Sequence, residues 1–179
     1  MPQYFETFPK RLYDLDNSGN PKIVTDIFRR MKVRDNIKDN MALFASYDVP
    51  SGETPESISY KHFGSTDYFW VICLMNNVQD RFYDWPLTDQ AFEEYVKEKY
   101  ANPQAIHHYE KTQSSGATEG NGPADYEHKI EVNSDEAGAE AVSNIQYERR
   151  EQDKKRTIKM LDPQYLNTFV TEFQKMINR

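Results

Sequence analysis

The chain has 179 residues, of which only 37% are hydrophobic, and a formal net charge of -7 at pH 7, which argues against a general nucleic-acid-binding protein. Its single cysteine, Cys73, excludes an internal disulfide, and its longest apolar run, seven residues, is too short to span a bilayer. Aromatic residues nevertheless reach 13%. A soluble chain that is poor in aliphatic and rich in aromatic side chains is typical of a protein that assembles with partners.

Residues 1–24 contain three prolines and the turn sequence DNSGN, and they show no sustained hydrophobic period. This pattern predicts an extended arm whose aromatic side chains contact neighbours. The arm's contact residues are expected to be Tyr4, Phe5, Phe8 and Tyr13. Thr25 is then expected to cap a short helix, with Asp26 favourable in its first turn.

The next segment predicts a strand followed by two short helices. Residues 41–49 (MALFASYDV) are typical of a strand that ends at Pro50. Thr54 followed by Pro55 is a strong helix start, and Gly64 is expected to end that helix. Ser65 or Thr66 should cap a second helix over residues 68–75, which leaves through a left-handed residue at Asn76 or Asn77. These helices are too short to be stable alone and must pack on each other and on a strand.

The second half of the chain predicts a helix capped by Thr88, then a β-hairpin, then helices. The runs AIHHYEK and YEHKIEV flank a Gly- and Ser-rich loop, so we expect a hairpin with a mobile tip over residues 112–125. From residue 134 the pattern is helical, TIKML is a candidate short strand, and Asp162 should cap a final helix. The apolar stripe of that helix is Leu166, Phe169 or Val170, Phe173 and Ile177.

These elements predict an α+β fold with a small domain formed by a strand, two helices and a second strand. The expected divisions are an arm with a short helix (1–44), the small domain (45–86), a helix (87–103), a β-hairpin (104–133) and a C-terminal helical region (134–179).

Candidate catalytic and metal sites are weak throughout the sequence. His107 and His108 are adjacent, and on a strand they would point to opposite faces, so they cannot both bind one ion in regular geometry. No serine or carboxylate lies in a pattern that indicates activation. We therefore expect no enzyme activity, catalytic residue, metal or cofactor. Residues 149–159 contain six Lys or Arg, and we interpret them as a solvated helix face, or as a contact for an acidic partner.

Residues 47–78 resemble the LysM module, a carbohydrate-binding domain with a strand, a Gly-Asp/Glu-Thr turn and two helices. The matching positions include Tyr47, Val49, Ile58, Phe63 and Gly64, together with Gly52, Glu53, Thr54, Asn76 and Asn77 at the two ends of the module. Two features depart from the pattern. The second helix, YFWVICLM, is apolar on nearly every side and must be covered on every side. The usual closing strand is replaced by DRFYDWP.

These departures, together with TDIFRRM, HFGSTDYFW and the closing RTIKMLDPQYLNTFVTEFQKMI, resemble the baseplate wedge proteins of contractile-tailed (T-even-like) phages. The resemblance implies a structural protein of the virion, located in the tail baseplate and in the host cytoplasm during assembly. It also implies multiple copies in a six-fold assembly, bound to a large helical-bundle wedge subunit and to hub, tube or sheath-initiating proteins. Neither nucleic acid nor membrane is an implied partner.

Two hypotheses for the binding surface follow. In the first, aromatic and apolar side chains contact other wedge subunits, because Trp and Tyr are frequent energetic anchors of interfaces. The residues expected in this contact are Tyr4, Phe5, Phe8, Phe69, Trp70, Ile72, Phe82, Tyr83 and Trp85, although Trp70 and Trp85 could equally form the core. In the second, the chain is a LysM-type module that binds peptidoglycan or chitin between Ser51–Thr54 and Asn76–Val78.

Overall fold

A computed structural model describes residues 4–15, 17, 19–34, 37, 43–113, 116–117, 124–125 and 128–179. The chain forms two compact units. Unit 1 contains Met1–Pro86 and Arg156–Arg179, and unit 2 contains Leu87–Lys155. The fold is α+β, as predicted. Unit 1 is discontinuous in sequence, and the region 134–179 is divided between the two units.

Unit 1 consists of short strands and helices. Its strands are β1 (Lys10–Tyr13), β2 (Lys22–Thr25), β3 (Phe44–Asp48) and β9 (Thr157–Leu161). Its α-helices are α1 (Pro55–Phe63), α2 (Phe69–Met75) and α5 (Leu166–Ile177), with single 3-10 turns at Tyr4–Thr7, Thr66–Tyr68 and Pro163–Tyr165. The predicted strand before Pro50 is confirmed, and so are the helix pair, the TIKML strand and the final helix.

The centre of unit 1 is a two-stranded antiparallel sheet of β3 and β9, with the register Phe44↔Leu161 to Asp48↔Thr157. The elements β3, α1 and α2 are consecutive, whereas β9 follows about eighty residues after α2. The strand that completes this sheet, β9, therefore comes after unit 2 in the sequence. The DRFYDWP segment, which follows α2 directly, forms turns rather than a strand.

Local capping fixes the two short helices of unit 1. The Thr54 hydroxyl accepts a hydrogen bond from the Ser57 amide at 3.2 Å, while the Ser57 hydroxyl accepts one from the Thr54 amide at 3.1 Å. This reciprocal capping satisfies two donors that the first helical turn leaves without partners. Gly64 ends α1 with φ 77°, in the left-handed region that favours glycine. Ser65 caps the following 3-10 turn, and Asn77 has φ 56°, the predicted left-handed exit.

Two apolar clusters form the core of unit 1. The first gathers α2, α5 and the N-terminal turn, and its buried members are Phe8, Tyr68, Trp70, Val71, Met75, Leu161, Leu166, Phe173 and Ile177. The second lies around the β3–β9 pair and contains Val49, Ile58, Ile72, Trp85, Ile158 and Met160. Because α2 contributes to both clusters, its nearly continuous apolar sequence is covered on most sides within the chain.

The N-terminal region differs from the predicted extended arm and helix. Strands β1 and β2 pair as an antiparallel hairpin with Leu12 opposite Ile23, and Thr25 lies in β2 instead of capping a helix. The Asp26 amide continues the hairpin by donating to the Pro9 carbonyl at 2.8 Å. The described residues after it, 27–34, form a turn and extended chain. The remainder of the predicted helix, residues 35–40, falls almost wholly outside the described residues.

Unit 2 contains a three-stranded sheet and two helices. The strands are β4 (Ile106–Gln113), β5 (Gly116–Ala117), β6 (Ala124–Asp125), β7 (His128–Val132) and β8 (Glu140–Ser143), and the helices are α3 (Asp89–Lys99) and α4 (Asn144–Arg156). The sheet has the order β7-β4-β8, and β5 pairs with β6. The predicted β4–β7 hairpin and the Thr88-capped helix are confirmed. Most of the predicted mobile tip lies outside the described residues.

The helix predicted from residue 134 is wrong for its first ten residues. Residues 134–139 form turns, and β8 pairs with β4 in the register Tyr109↔Ala141. Val142 is buried there, at 3% exposure. The Ala- and Glu-rich sequence favours a helix by itself, but pairing with β4 and burial of Val142 decide for a strand because intrinsic propensities are small. The helix begins only at Asn144.

Candidate protein-binding surface

The Gly52–Thr54 turn, where a LysM module would bind sugar, has its polar groups engaged within the chain. Gly52 has φ 83°, as a tight turn requires. The backbone carbonyl of Glu53 accepts a hydrogen bond from Trp85 Nε1 at 2.9 Å. The side-chain carboxylate of Glu53 accepts one from the Tyr47 hydroxyl at 2.6 Å and forms an ion pair with Lys61. Burial alone would raise the pKa of Glu53, but the hydrogen bonds from Lys61 and Tyr47 lower it below its ordinary value.

The Asn76 side chain at the other end of the module is also engaged. Its Nδ2 donates to the carbonyls of Ile72 and Lys159 at 2.9 Å each, and its Oδ1 accepts from the Lys159 amide at 2.8 Å. The side-chain amide of Asn76 thus makes the hydrogen bonds that a neighbouring strand would make, and it connects the end of α2 to β9. Both ends of the predicted carbohydrate site are therefore used to hold the fold together.

Trp85 lies in the core beside the Gly52–Thr54 turn, bonded to the Glu53 carbonyl, and is 6% exposed. Its ring belongs to the cluster around Ile58 and Ile72, and Val78 packs against that cluster. The turn before Trp85 is fixed by Asp84, whose carboxylate accepts hydrogen bonds from the amides of residues 79 and 80 at 2.8 and 3.0 Å. The DRFYDW segment thus folds back, places Trp85 in the core, and presents the two preceding aromatic side chains to solvent.

An open groove of about 1080 Å³ runs along α2 in unit 1. Its walls come from the N-terminal turn, from residues 30–32, from the start of α1 and from residues 77–81. Phe5 and Phe69, which are 57% and 38% exposed, contribute aromatic surface to it. Charged residues of both signs line the same groove: Glu6, Arg30, Lys32, Glu56, Asp67 and Arg81.

The nine predicted contact residues separate by exposure. Phe5, Phe69, Phe82 and Tyr83 are exposed, the last two by 82% and 74%. Tyr4 is half-buried and stacks near Trp70 at 5.3 Å between ring centroids. The remaining side chains are buried in the core of unit 1: Phe8, Trp70, Ile72 and Trp85. Four of the nine predicted residues are therefore at the surface, and three aromatic residues and Ile72 belong to the two core clusters.

The sequence prediction missed the apolar residues of the β1–β2 hairpin. Leu12 and Ile23 are opposite each other across the strands and are 69% and 71% exposed. Phe28, just after β2, is 93% exposed. The signal was the pair of short strand-forming runs, KRLY and KIVT, on either side of the DNSGN turn.

The candidate chemical groups take part in structural contacts. His107 stacks on Tyr147 at 4.0 Å, and His108 Nε2 lies 3.0 Å from Glu110 Oε1. Glu110 is partly buried, and this desolvation by itself raises its pKa, but hydrogen bonds from Arg150 and His108 lower that pKa to about 2. Within the described residues, no three His, Cys, Asp or Glu side chains cluster as a metal site would require.

Cys73 borders the groove and is partly buried. Burial, with a contribution from nearby Glu56, raises the pKa of its thiol to about 11. A thiol with so high a pKa is a poor nucleophile at neutral pH, because the thiolate is the reactive form. In the part of the chain that the structure describes, none of the helices has the length and apolar character needed to cross a membrane.

Comparison with known proteins identifies the family. The model of the family described as base plate wedge protein 53 matches residues 5–118, well over half of the chain. The chain belongs to this family. It is also similar to the baseplate wedge protein gp53 of Enterobacteria phage T4, with 29% identity over 89 residues. That match covers 48% of this chain and 44% of the T4 protein, so the chain spans less than half the length of its relative in the alignment.

Membership in this family makes the chain a structural protein of a virion, located in the tail baseplate. The resemblance to baseplate wedge proteins is confirmed. Neither comparison concerns the LysM module, so the LysM-like character of unit 1 stays a prediction.

Proposed function

We propose that this protein links neighbouring wedge subunits during tail assembly through an aromatic surface on unit 1. We define this aromatic surface as the groove residues Phe5 and Phe69 together with Phe82 and Tyr83. The observation that carries the proposal is the open groove along α2, bordered by exposed aromatic side chains. Such side chains in a concave site are typical of energetic anchors in protein interfaces.

The geometry of the DRFYDW turn supports this role. Phe82 and Tyr83 extend from a turn whose backbone amides are held by Asp80 and Asp84. Because the turn is already ordered, it loses little conformational entropy when a partner covers the two rings. The large helical-bundle wedge subunit is the partner that we propose for this surface, in several copies around the six-fold baseplate. Hub, tube or sheath-initiating proteins are further candidates, and no catalysis, metal or cofactor is required.

The alternative, a module that binds peptidoglycan or chitin, is disfavoured by the same geometry. Trp85 is buried and binds the Glu53 carbonyl at one end of the predicted sugar site. Asn76 is committed to β9. A sugar would have to displace these contacts, because a carbohydrate site needs accessible polar groups beside an apolar floor.

Co-expression with the large wedge subunit tests the proposal. We expect each of two double variants, Phe82→Ala/Tyr83→Ala and Phe5→Ala/Phe69→Ala, to lower the affinity for the partner by about thirtyfold, seen as reduced co-purification. This is the loss expected if each pair of anchors contributes about 2 kcal/mol in total. Tyr60→Ala is the matched control, because Tyr60 is 63% exposed on α1 and does not line the groove. Full co-purification by both double variants would refute the proposed surface. Sedimentation with purified peptidoglycan tests the alternative, and clear binding at physiological salt would favour it.

A further inference from the structure

The segment from β1 to Phe28 concentrates exposed apolar side chains. Among the described residues, sixteen large hydrophobic side chains are exposed, and seven of them lie between Leu12 and Phe28. Contiguous exposed apolar surface in a soluble protein marks an interaction site or an aggregation liability. We call residues 10–28 the hairpin arm. The exposed apolar residues of this arm are Leu12, Tyr13, Leu15, Ile23, Val24, Ile27 and Phe28.

The hairpin arm has little support of its own. Strands β1 and β2 pair only with each other among the described residues. Every residue of β1 is exposed, and so are three of the four in β2. An isolated two-stranded hairpin is at best marginally stable in water, and its outer backbone edges are templates for pairing with another strand. The arm is therefore suited to being covered by another strand edge.

The hairpin arm itself has three basic and three acidic residues, and the segment that follows it, residues 29–34, adds four basic residues and no acid. One of the acids, Asp26, is buried and forms ion pairs with Arg11 at 2.8 Å and Arg29 at 3.4 Å. Lys10 and Lys22, at the opposite ends of the two strands, are exposed. A protein surface that covers the apolar part of the arm would thus meet these two exposed lysines, and acidic residues would complement them.

The same chain contains an acidic strand edge. Residues 87–155 hold fifteen acidic and eight basic residues, so the whole formal net charge of -7 lies there. Strand β8 is the last strand of the β7-β4-β8 sheet, which leaves its outer edge open among the described residues. The turn before it and its first residue carry exposed acids at Asp135, Glu136 and Glu140.

We infer that the hairpin arm of one molecule binds the acidic β8 edge of a second copy. The contact adds β1 or β2 to the open sheet edge, buries the apolar side chains of the arm, and places Lys10 and Lys22 against Asp135 and Glu140. Such a contact is heterologous, since two different surfaces meet, and repetition of it produces a closed ring or an open filament. This inference goes beyond the proposed function and uses different residues.

The first experiment measures self-association of the full chain by sedimentation velocity over a range of concentrations and salt. We expect concentration-dependent oligomers, with the association constant falling about tenfold between low and high salt because the charge pairs are screened. Lys10→Glu/Lys22→Glu should weaken association by about tenfold or more. The matched control is Lys97→Glu/Lys175→Glu, which changes the net charge equally at exposed lysines outside the arm. A chain that stays monomeric at every concentration would overturn the inference.

The second experiment identifies the surface that receives the arm. Asp135→Lys/Glu140→Lys should also weaken self-association, because both surfaces are then basic. A mixture of this variant with Lys10→Glu/Lys22→Glu should restore association, since the arm of each variant then meets a β8 edge of opposite charge on the other. Failure of the mixture to associate would reject β8 as the partner, as would unchanged association of the Asp135→Lys/Glu140→Lys variant. Circular dichroism checks that each variant is folded.

Discussion

Replacement of Trp85 distinguishes a core role for this residue from direct contact with a partner. Its indole is 6% exposed, packs in the β3–β9 cluster and donates to the Glu53 carbonyl at 2.9 Å. Trp85→Ala should lower the free energy of unfolding of unit 1 by about 3–5 kcal/mol, because it leaves a large cavity. Trp85→Phe keeps most of the ring and removes the donor, so we expect a loss of about 1–3 kcal/mol from the unpaired carbonyl.

Urea unfolding followed by tryptophan fluorescence provides the assay. The chain has two tryptophans, Trp70 and Trp85, and both lie in unit 1, so the remaining Trp70 reports unit 1 selectively in both variants. Phe82→Ala is the matched control in the same turn, and since Phe82 is 82% exposed its effect should stay within about 0.5 kcal/mol. If Trp85→Ala were as stable as the wild type, the core role would be refuted.

Co-purification with the large wedge subunit extends this experiment to function. If Trp85 acts only through the fold, Trp85→Phe should bind the partner normally under conditions where it is folded. A Trp85→Phe protein with an intact fold and lost binding would instead show that the ring or its N–H group reaches the partner. That result would support the original prediction that Trp85 belongs to the interface.

Three further predictions concern other parts of the chain. The pKa of Glu110 is lowered to about 2 in the folded state. Its contribution to stability is therefore complete above its ordinary pKa and should fade as the pH falls toward 2. Glu110→Gln should remove this part of the acid sensitivity, measured by circular dichroism. Gly64→Ala should destabilise unit 1 by about 1 kcal/mol in urea unfolding, because φ is 77°. Cys73, whose thiol has a pKa of about 11, should react with iodoacetamide roughly a hundredfold more slowly at pH 7 than a free thiol, and a rate equal to that of free cysteine would contradict its burial.

Local signals predicted the elements around the groove well. Thr54, Pro55, Gly64 and Thr88 act through contacts within three or four residues, so their effects can be read directly from the sequence. The helical stripe of α5 is likewise a short-range pattern, and its members Leu166, Phe173 and Ile177 are buried as predicted. The predicted helix start at Thr25 is wrong because the buried Asp26 continues the β1–β2 hairpin, and that contact involves residues on the other strand.

The exposure of individual aromatic residues could not be obtained from the sequence. Trp70 and Phe69 are adjacent on α2, yet the first is 5% exposed and the second is 38% exposed. Trp85 and Phe82 are three residues apart in one turn, yet Trp85 is buried and Phe82 is exposed. Burial in these cases depends on which distant surface, α5 or the β3–β9 sheet, faces each side chain.

The family resemblance, the α+β class and the ends of the short helices could be read from the sequence alone, because each depends on residues that are close in the chain. The tertiary structure was needed to show that β9 closes the sheet with β3, that Trp85 is buried and bonded to the Glu53 carbonyl, and that the N-terminal arm is a hairpin. These features arise from pairing and packing between residues distant in sequence. These features are stabilised by hydrogen bonds and buried surface that form only when the distant segments meet. No local sequence pattern therefore predicts them.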